Sequence, residues 1–285
     1  ALEVSAAFLM CLSDEKQENQ TKKLSRLIPL LDHHQACDAE HYLKELRDVD
    51  STLYDTANFD LHTVDIRWSN LCNFACVYCN PETSTAWQSI KRIPINHVKN
   101  EHQDLIELTR TQGHNIQGLS LGGGEPLLQK GLDVFLSYLD PNTVSVMVTT
   151  NLSMEITTNP IYQILKTWPK VEWMVSFDNA NKEKFEYVRD RANWEQFVKN
   201  LRQMKQDGQN VNAHPAYSIY CALDLMEYYD FCVSENLGIY WCELNHPMEL
   251  DIRRHSQSLR HKATHAIDQV LDKYGDRRSL AIDVL

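Results

Sequence analysis

Three closely spaced cysteines offer metal ligands near the start of the second quarter of the chain. Cys72, Cys76 and Cys79 lie in the segment Ser-Asn-Leu-Cys-Asn-Phe-Ala-Cys-Val-Tyr-Cys-Asn, residues 69–80, with C-x3-C-x2-C spacing. Thiolates are soft ligands that select zinc, copper(I) or iron–sulfur clusters. A closed structural zinc site needs four protein ligands, usually as two short pairs, and no second C-x2-C pair follows. Three thiolates therefore favour a cubane iron–sulfur cluster with one open iron. A structural metal knuckle and incidental buried cysteines are the alternatives.

The elements on either side of the cysteines are predicted from their hydrophobic pattern. Residues 62–68 alternate as a β-strand does and lead directly into the cysteine loop. Residues 81–84 begin a helix, and a longer helix is predicted over residues 97–111, ended by Gly113. Because α/β barrels carry their active sites at the carboxyl ends of their strands, the cysteines stand where a cofactor would bind.

A glycine-rich segment follows the second predicted strand, residues 116–121. Its sequence is Gly122-Gly123-Gly124-Glu125-Pro126. Glycine permits positive φ and a close approach of the backbone to a ligand, and the Glu125 carboxylate adds hydrogen-bond acceptors beside it. The alternative is a glycine-rich turn that binds nothing.

The cysteine array, with Tyr78 directly before its last cysteine, and the G-G-E-P segment together resemble the signatures of the radical S-adenosylmethionine (radical SAM) enzymes. The resemblance implies a [4Fe–4S] cluster on Cys72, Cys76 and Cys79, whose open iron is chelated by the amino and carboxylate groups of S-adenosylmethionine (SAM). One electron from the cluster cleaves SAM to methionine and a 5′-deoxyadenosyl radical, which abstracts a substrate hydrogen. It also implies an electron donor such as flavodoxin or ferredoxin.

The same resemblance assigns residues to SAM. The segment from Gly122 through Gly123 and Gly124 to Glu125 would bind the amino group, and Tyr78 would pack near the adenine. Residues 143–148 are predicted as a third strand, because valines alternate with polar side chains. Thr150 and Asn151 follow it and resemble the family's terminal T-N pair, which lies near SAM. A polar transition from strand to loop is the alternative for either residue.

A fourth predicted strand, residues 171–177, runs into Ser176-Phe177-Asp178, which resembles the family's S-hydrophobic-D-G segment. We therefore expect Ser176 and Asp178 at the SAM site. Asn179 stands in place of the usual glycine. Because asparagine tolerates the left-handed backbone region better than most residues, we expect the turn to be retained.

Arg189 matches the arginine that, in relatives, follows this serine by about a dozen residues and holds the SAM carboxylate or ribose with it. A guanidinium can bind a carboxylate through two parallel hydrogen bonds. The alternative is a surface ion pair with Glu186 or Asp190.

Repeated strand-then-helix units predict an α/β fold with a parallel sheet and crossover helices. Further strands are predicted over residues 211–220 and 238–244, with a helix over 224–236 between them. The clearest helix begins at Asn193 and ends at Gly208. The family's usual fold, a partial (β/α)6 TIM-like barrel, agrees with this count.

Three regions are expected along the chain. Residues 1–60 form a helical N-terminal extension, residues 61–248 the barrel, and residues 249–285 a C-terminal helix and tail, with the helix over 250–275.

Composition narrows the class of protein. The 285 residues are 43% hydrophobic and 24% charged, as in ordinary globular domains. The net charge of −11 argues against broad binding to nucleic acid or anionic membranes. No apolar run reaches the roughly 18 residues of a membrane span. An oxygen-sensitive cluster needs a reducing compartment, so we expect a cytoplasmic location.

No second catalytic residue stands out. Cys221, Cys232 and Tyr217 are candidates for a group that donates a hydrogen atom to the substrate. Cys221, Cys232 and Cys242 have C-x10-C-x9-C spacing, which does not resemble the tight pairs of the SPASM and twitch auxiliary-cluster domains. Buried structural cysteines are common, and we favour that interpretation over an auxiliary cluster.

The substrate is predicted from the motif details. The C-N-x2-C-x2-C and S-x-D…R segments resemble the peptide- and protein-modifying branch, so we expect modification of a peptide side chain or α-carbon. A small-molecule substrate is the close alternative. Two other classes stay open: an iron–sulfur accessory protein that does not cleave SAM, and a zinc-stabilised structural protein.

Overall fold

The computed structural model describes residues 62–94, 101–244 and 246–275. The expected N-terminal extension over residues 1–60 and the end of the C-terminal tail lie outside the described residues. Within the described part of the chain, no helix is both long and apolar enough to cross a membrane.

A parallel sheet of six strands forms the centre of the fold. Its strands are β1 (Thr63–Arg67), β2 (Gly118–Gly122), β3 (Ser145–Thr150), β4 (Val171–Val175), β5 (Asn210–Ala213) and β7 (Gly238–Ile239). They lie in the order β1-β2-β3-β4-β5-β7, and every pairing is parallel. Because all the strands run the same way, their carboxyl ends meet at one edge. The predicted α/β partial barrel is confirmed.

Helices connect the strands and pack against them. They are α1 (Thr85–Lys91), α2 (Glu101–Gln112), α3 (Leu132–Leu136), α4 (Pro160–Leu165), α5 (Lys182–Val188), α6 (Trp194–Gln206), α7 (Leu225–Ser234) and α8 (Gln257–Tyr274). Three of them, α3, α4 and α5, were not predicted, because five to seven residues are too few to show a helical period. Val146, Val148 and Trp173 belong to the continuous core beneath them.

The last two predicted strands are each interrupted. A second, two-stranded parallel sheet pairs β6 (Ala216–Tyr217) with β8 (Cys242–Glu243). Pro215 lies between β5 and β6, and because proline has no backbone N–H to give to a ladder, the predicted strand over 211–220 divides there. The predicted helix over 250–275 begins later, at Gln257, after short 3-10 turns at Met248–Leu250 and Ile252–Arg254.

Asn179 does not adopt the left-handed conformation that the sequence suggested. It is not among the described residues with positive φ. Its side-chain oxygen instead accepts a hydrogen bond from the Asn181 N–H at 2.9 Å, and its amide donates to Asp224 at 2.9 Å. Asparagine favours this local turn, in which its side chain replaces a backbone group, so the turn is held without a glycine.

Asn200 ties helix α6 to the loop that follows β3. Its side chain is fully buried, and its amide group donates to the carbonyls of Leu152 at 2.8 Å and Met154 at 2.6 Å. Leu152 has a φ of 53°, so the loop takes a conformation that a leucine rarely adopts on its own. The position of Asn151 at the end of β3 therefore depends on this buried amide.

We expect Asn200→Leu to lower the free energy of unfolding by about 2 kcal/mol or more, because the buried carbonyl of Leu152 and the half-buried carbonyl of Met154 lose their donor. Urea unfolding of the folded chain measures the change. Gln203→Leu on the same helix is the matched control. Among the described residues, its amide bonds only Asp207, in an exposed position, and we expect a change within about 0.5 kcal/mol. Equal effects of the two substitutions would contradict the structural role of Asn200.

Candidate functional site

The cysteine loop lies between β1 and α1, at the carboxyl edge of the sheet. The Cys79 N–H donates to the Cys76 carbonyl at 2.9 Å. The Cys76 and Cys79 thiols interact with each other, which raises the pKa of Cys76 and lowers the pKa of Cys79. Burial raises the pKa of Cys72 to about 11. Three thiols on one loop are soft ligands of the kind that binds zinc or an iron–sulfur cluster.

The donor set does not match a site for a single metal ion. In the part of the chain that the structure describes, no three His, Cys, Asp or Glu side chains are placed to bind one ion. His261 and His265 form an H-x3-H pair on α8, and no third ligand joins them among the described residues. A closed structural zinc site needs four protein ligands, whereas a cubane cluster with one open iron needs three thiolates, one on each of the other irons. By the number and type of its ligands, the cysteine loop therefore fits a cluster.

Helix α1 holds the cysteine loop from one side through three side chains. The Thr85 hydroxyl accepts from the Cys72 N–H at 3.2 Å and donates to the Cys72 carbonyl at 3.0 Å. Ser84 donates to the Phe74 carbonyl at 2.6 Å. The Trp87 indole N–H donates to the Cys76 carbonyl at 2.9 Å. Ser84 is predictable from the sequence only as a helix start, and none of the three contacts is predictable, since they depend on how the loop folds back.

The end of helix α5 holds the loop from another side. The N–H of Ala75 donates to the Asp190 carbonyl at 3.2 Å, and the N–H of Val77 donates to the Val188 carbonyl at 2.9 Å. These backbone bonds join the cysteine loop to the segment that carries Arg189.

The glycine-rich segment packs directly against the start of the cysteine loop. Gly123 and Gly124 have φ values of 68° and 52°, which glycine adopts without steric cost. A Cβ on Gly124 would stand 2.5 Å from the Leu71 carbonyl oxygen and 2.7 Å from that of Ser69. The Glu125 N–H donates to the same Leu71 carbonyl at 2.8 Å. Only a glycine allows this close contact between the two segments.

The carboxylate of Glu125 is buried and bonded to the end of β3. One of its oxygens accepts from the Thr150 hydroxyl at 2.6 Å and from the Leu127 N–H at 3.1 Å. The other accepts from the Asn151 N–H at 2.7 Å. Burial raises the pKa of Glu125 to about 6 against the opposing effect of these hydrogen bonds. Glu125 therefore fixes the predicted T-N pair in place.

Asn151 extends this connection to the first cysteine. Its amide donates to Asn73 at 3.0 Å and lies 3.8 Å from the Cys72 sulfur. Asn73 in turn donates to Ser153 at 2.9 Å. The structure thus brings Thr150, Asn151 and Glu125 together with the cysteine loop.

Asp178 and Arg189 form a buried ion pair beside Tyr78. The Arg189 Nε and Nη2 atoms donate to the two Asp178 oxygens at 2.8 and 3.1 Å, and only 7% and 1% of these side chains are accessible. The Tyr78 hydroxyl also donates to Asp178, at 2.9 Å. Arg189 pairs with neither Glu186 nor Asp190, the two neighbours that the sequence offered as partners. Ser176 is half-buried, and its N–H donates to the Thr150 carbonyl at 2.8 Å.

The candidate hydrogen donors differ in their surroundings. Cys232 lies within α7 in the hydrophobic core. Cys221 is buried, its thiol donates to the Ser218 carbonyl at 3.3 Å, and burial raises its pKa to about 12. Tyr217 is 4% exposed, and its hydroxyl has no hydrogen-bond partner among the described residues. Cys242, in contrast, is exposed. The different surroundings of Cys221, Cys232 and Cys242 do not resemble one auxiliary cluster site.

The chain matches the family model of the Radical SAM superfamily over residues 66–220, more than half of its length. It is 30% identical over 119 residues to GTP 3′,8-cyclase of Nautilia profundicola, covering 41% of this chain and 33% of that protein. It is 24% identical over 177 residues to GTP 3′,8-cyclase of Aliarcobacter butzleri, covering 60% and 52%. The chain spans about a third to a half of the length of these curated relatives.

Two solved structures share the fold. Native anSMEcpe with bound AdoMet has a TM-score of 0.55 at 14% identity, covering 75% of this chain and 61% of that one. SuiB of Streptococcus suis bound to S-adenosylmethionine has a TM-score of 0.54 at 15% identity, covering 90% and 61%. At these identities the similarity is one of fold.

We expect Gly124→Ala to destabilise the folded chain by at least about 1 kcal/mol more than Gly208→Ala, because overpacking against backbone costs about 1–3 kcal/mol. Both glycines have positive φ, but nothing lies within 4 Å of a Cβ on Gly208. The control thus isolates the contact with the cysteine loop. Thermal or urea unfolding measures both variants, and equal losses would contradict the tight packing described for Gly124.

Proposed function

The chain belongs to the radical SAM superfamily, since the family model matches more than half of it, and we propose that it is an enzyme that reductively cleaves SAM to abstract a hydrogen atom from its substrate. The family uses a [4Fe–4S] cluster and SAM. When bound, the two supply a carbon-centred radical that removes hydrogen from a substrate C–H bond. The observation that carries the proposal is the loop of Cys72, Cys76 and Cys79, held at the carboxyl edge by α1, α5 and the glycine-rich segment.

The chain's own residues would bind and orient the cofactors. We propose that Cys72, Cys76 and Cys79 hold the cluster. The SAM site would comprise Tyr78, Gly122, Gly123, Gly124, Glu125, Thr150, Asn151, Ser176 and Arg189. Both Glu125 oxygens already accept hydrogen bonds from the protein, so its part is to shape the backbone that meets the ligand. The half-buried hydroxyl of Ser176 has no side-chain hydrogen bond to another described residue and is available to a ligand. Flavodoxin or ferredoxin is the proposed source of the electron.

A peptide or protein is the proposed substrate. The cysteine and S-x-D…R motifs favour it, and the shared fold includes SuiB bound to its precursor peptide SuiA. Tyr187 is 63% exposed, and the centre of its ring lies 5.6 Å from that of Tyr220. It directly precedes Val188, whose carbonyl accepts a hydrogen bond from the cysteine loop. Exposed aromatic rings are frequent anchors at protein interfaces.

A small-molecule substrate is the second candidate, and the curated relatives favour it. Their name, GTP 3′,8-cyclase, describes an enzyme that acts on a nucleotide. The matched region covers only part of those proteins, so the substrate does not transfer with it.

Of the three candidate hydrogen donors, we favour Tyr217. The thiols of Cys221 and Cys232 are buried among protein groups, whereas the Tyr217 hydroxyl lacks a partner in the described residues. A buried hydroxyl without a partner costs stability, and a bound ligand would satisfy it.

We expect Cys76→Ala to lose the cluster, because two cysteine ligands do not hold a cubane that needs a thiolate on each of three irons. Iron and sulfide are measured after anaerobic reconstitution. Cys242→Ala is the matched control and should keep the wild-type iron content, because Cys242 is exposed and outside the loop. A Cys76→Ala protein with a full iron load would contradict the proposed ligand set.

The two substrate classes can be separated with the reconstituted wild-type protein. We expect a pool of synthetic peptides of randomised sequence to increase the rate of 5′-deoxyadenosine formation from SAM, and GTP to leave it unchanged. Chromatography quantifies 5′-deoxyadenosine, and deuterated amino acids in the pool would transfer deuterium into it. Stimulation by GTP alone would contradict the peptide proposal and support the second candidate.

A further inference from the structure

Asp178 has no free acceptor position for a ligand. Its Oδ1 accepts from Arg189 Nη2 at 3.1 Å and from the Ala216 N–H at 2.8 Å. Its Oδ2 accepts from Arg189 Nε at 2.8 Å and from the Tyr78 hydroxyl at 2.9 Å. A carboxylate offers about four lone-pair directions, so these four bonds saturate it. The side chain is 1% exposed, which also separates it from bound molecules.

The donors come from three separate elements. Tyr78 lies in the cysteine loop between Cys76 and Cys79, Arg189 directly follows helix α5, and Ala216 begins β6. One buried carboxylate therefore connects the cofactor loop to the segments on either side of it. A buried charge with this many bonds is costly to disturb, because each donor would lose its acceptor away from water.

Arg189 keeps part of its guanidinium free. Nε and Nη2 bind Asp178, and the guanidinium carbon stands 5.6 Å from the centre of the Tyr78 ring. Nη1 makes no hydrogen bond to another described residue. The planar fork of a guanidinium suits a carboxylate. Asp178 thus fixes one edge of Arg189, and the remaining N–H groups are available to an anion.

We infer that Asp178 is a positioning residue that does not contact SAM and that sets Arg189 and Tyr78 in the orientation in which Arg189 binds the SAM carboxylate. This inference rests on the proposed function, because it assumes that SAM binds beside the cysteine loop. It separates Asp178 from the other residues that the motif assigned to SAM. Asp178 acts through its neighbours, whereas Arg189 touches the ligand.

Asp178→Asn tests the inference on the anaerobically reconstituted protein. An asparagine replaces one oxygen with an NH2 group. Whichever way the amide turns, this group faces either Nε or Nη2 of Arg189, so one guanidinium donor loses its acceptor. We expect the iron content of the wild type and a Kd for SAM raised about tenfold or more, since a lost hydrogen bond to a charged group has a typical cost of this size. Equilibrium dialysis of SAM gives the Kd. The change in the electron paramagnetic resonance spectrum of the reduced cluster on adding SAM is the second readout, and we expect it to require correspondingly more SAM.

Asp207→Asn is the matched control. Asp207 accepts from the hydroxyl of the buried Tyr162 at 2.8 Å, so this substitution makes the same carboxylate-to-amide change at a Tyr–Asp pair away from the cysteine loop. It should leave the Kd for SAM unchanged. Tyr78→Phe removes one of the four bonds and keeps the ring beneath Arg189, and its Kd should lie between those of the wild type and Asp178→Asn.

The possible outcomes are distinct. An Asp178→Asn protein that binds SAM as tightly as the wild type overturns this inference and leaves the proposed function standing. If Asp178→Asn does not fold, Tyr78→Phe decides, and an unchanged Kd in that variant overturns the inference. A wild-type protein that carries a full cluster but binds no SAM overturns the proposed function and this inference together.

Discussion

The buried carboxylate of Glu125 is the contact on which the proposed site depends. It connects the ends of β2 and β3, and its own N–H joins both to the cysteine loop. An ionised carboxylate is expensive to remove from water unless it is hydrogen-bonded, and three donors meet that need here. Because those donors include Thr150 and Asn151, the residues beside Cys72 are placed by the same carboxylate. The glycines before Glu125 allow the approach, since any Cβ on Gly124 would strike the loop backbone.

A second buried carboxylate, Asp178, plays the corresponding part at the end of β4. The two acidic residues follow strands that lie on either side of β3, and each binds a neighbouring segment of the carboxyl edge. The cysteine loop is bonded to both, through the Leu71 carbonyl on one side and through Tyr78 on the other. Parallel strands make this possible, since they bring all their carboxyl ends to one edge. The fold therefore supplies a rigid frame around three thiols, while the protein's chemistry is left to the cofactors.

Much of this arrangement was predictable from the sequence. The predicted bounds of β1 to β4 lie within two residues of the observed ones. The predicted helix start at Asn193 is confirmed, since its side chain accepts from the Gln196 N–H, and the motifs marked the correct edge of the sheet. The contacts that depend on chain folding were not predictable. Local spacing suggested an ion pair between Arg189 and an acidic neighbour in sequence. Its partner is Asp178, which lies before helix α5 and follows β4. Thr85 and Trp87 belong to no recognisable motif. Their hydrogen bonds to the cysteine loop follow from the packing of α1 on that loop.

The most direct test of the central claim is anaerobic reconstitution of the wild-type chain, followed by iron and sulfide counts and a dithionite-driven assay for 5′-deoxyadenosine from SAM. We expect about four irons and four sulfides per chain, as in one cubane cluster, together with formation of 5′-deoxyadenosine. Zinc in place of iron, or a complete cluster that produces no 5′-deoxyadenosine, would contradict the proposal that these cysteines and strand ends form a SAM-cleaving site.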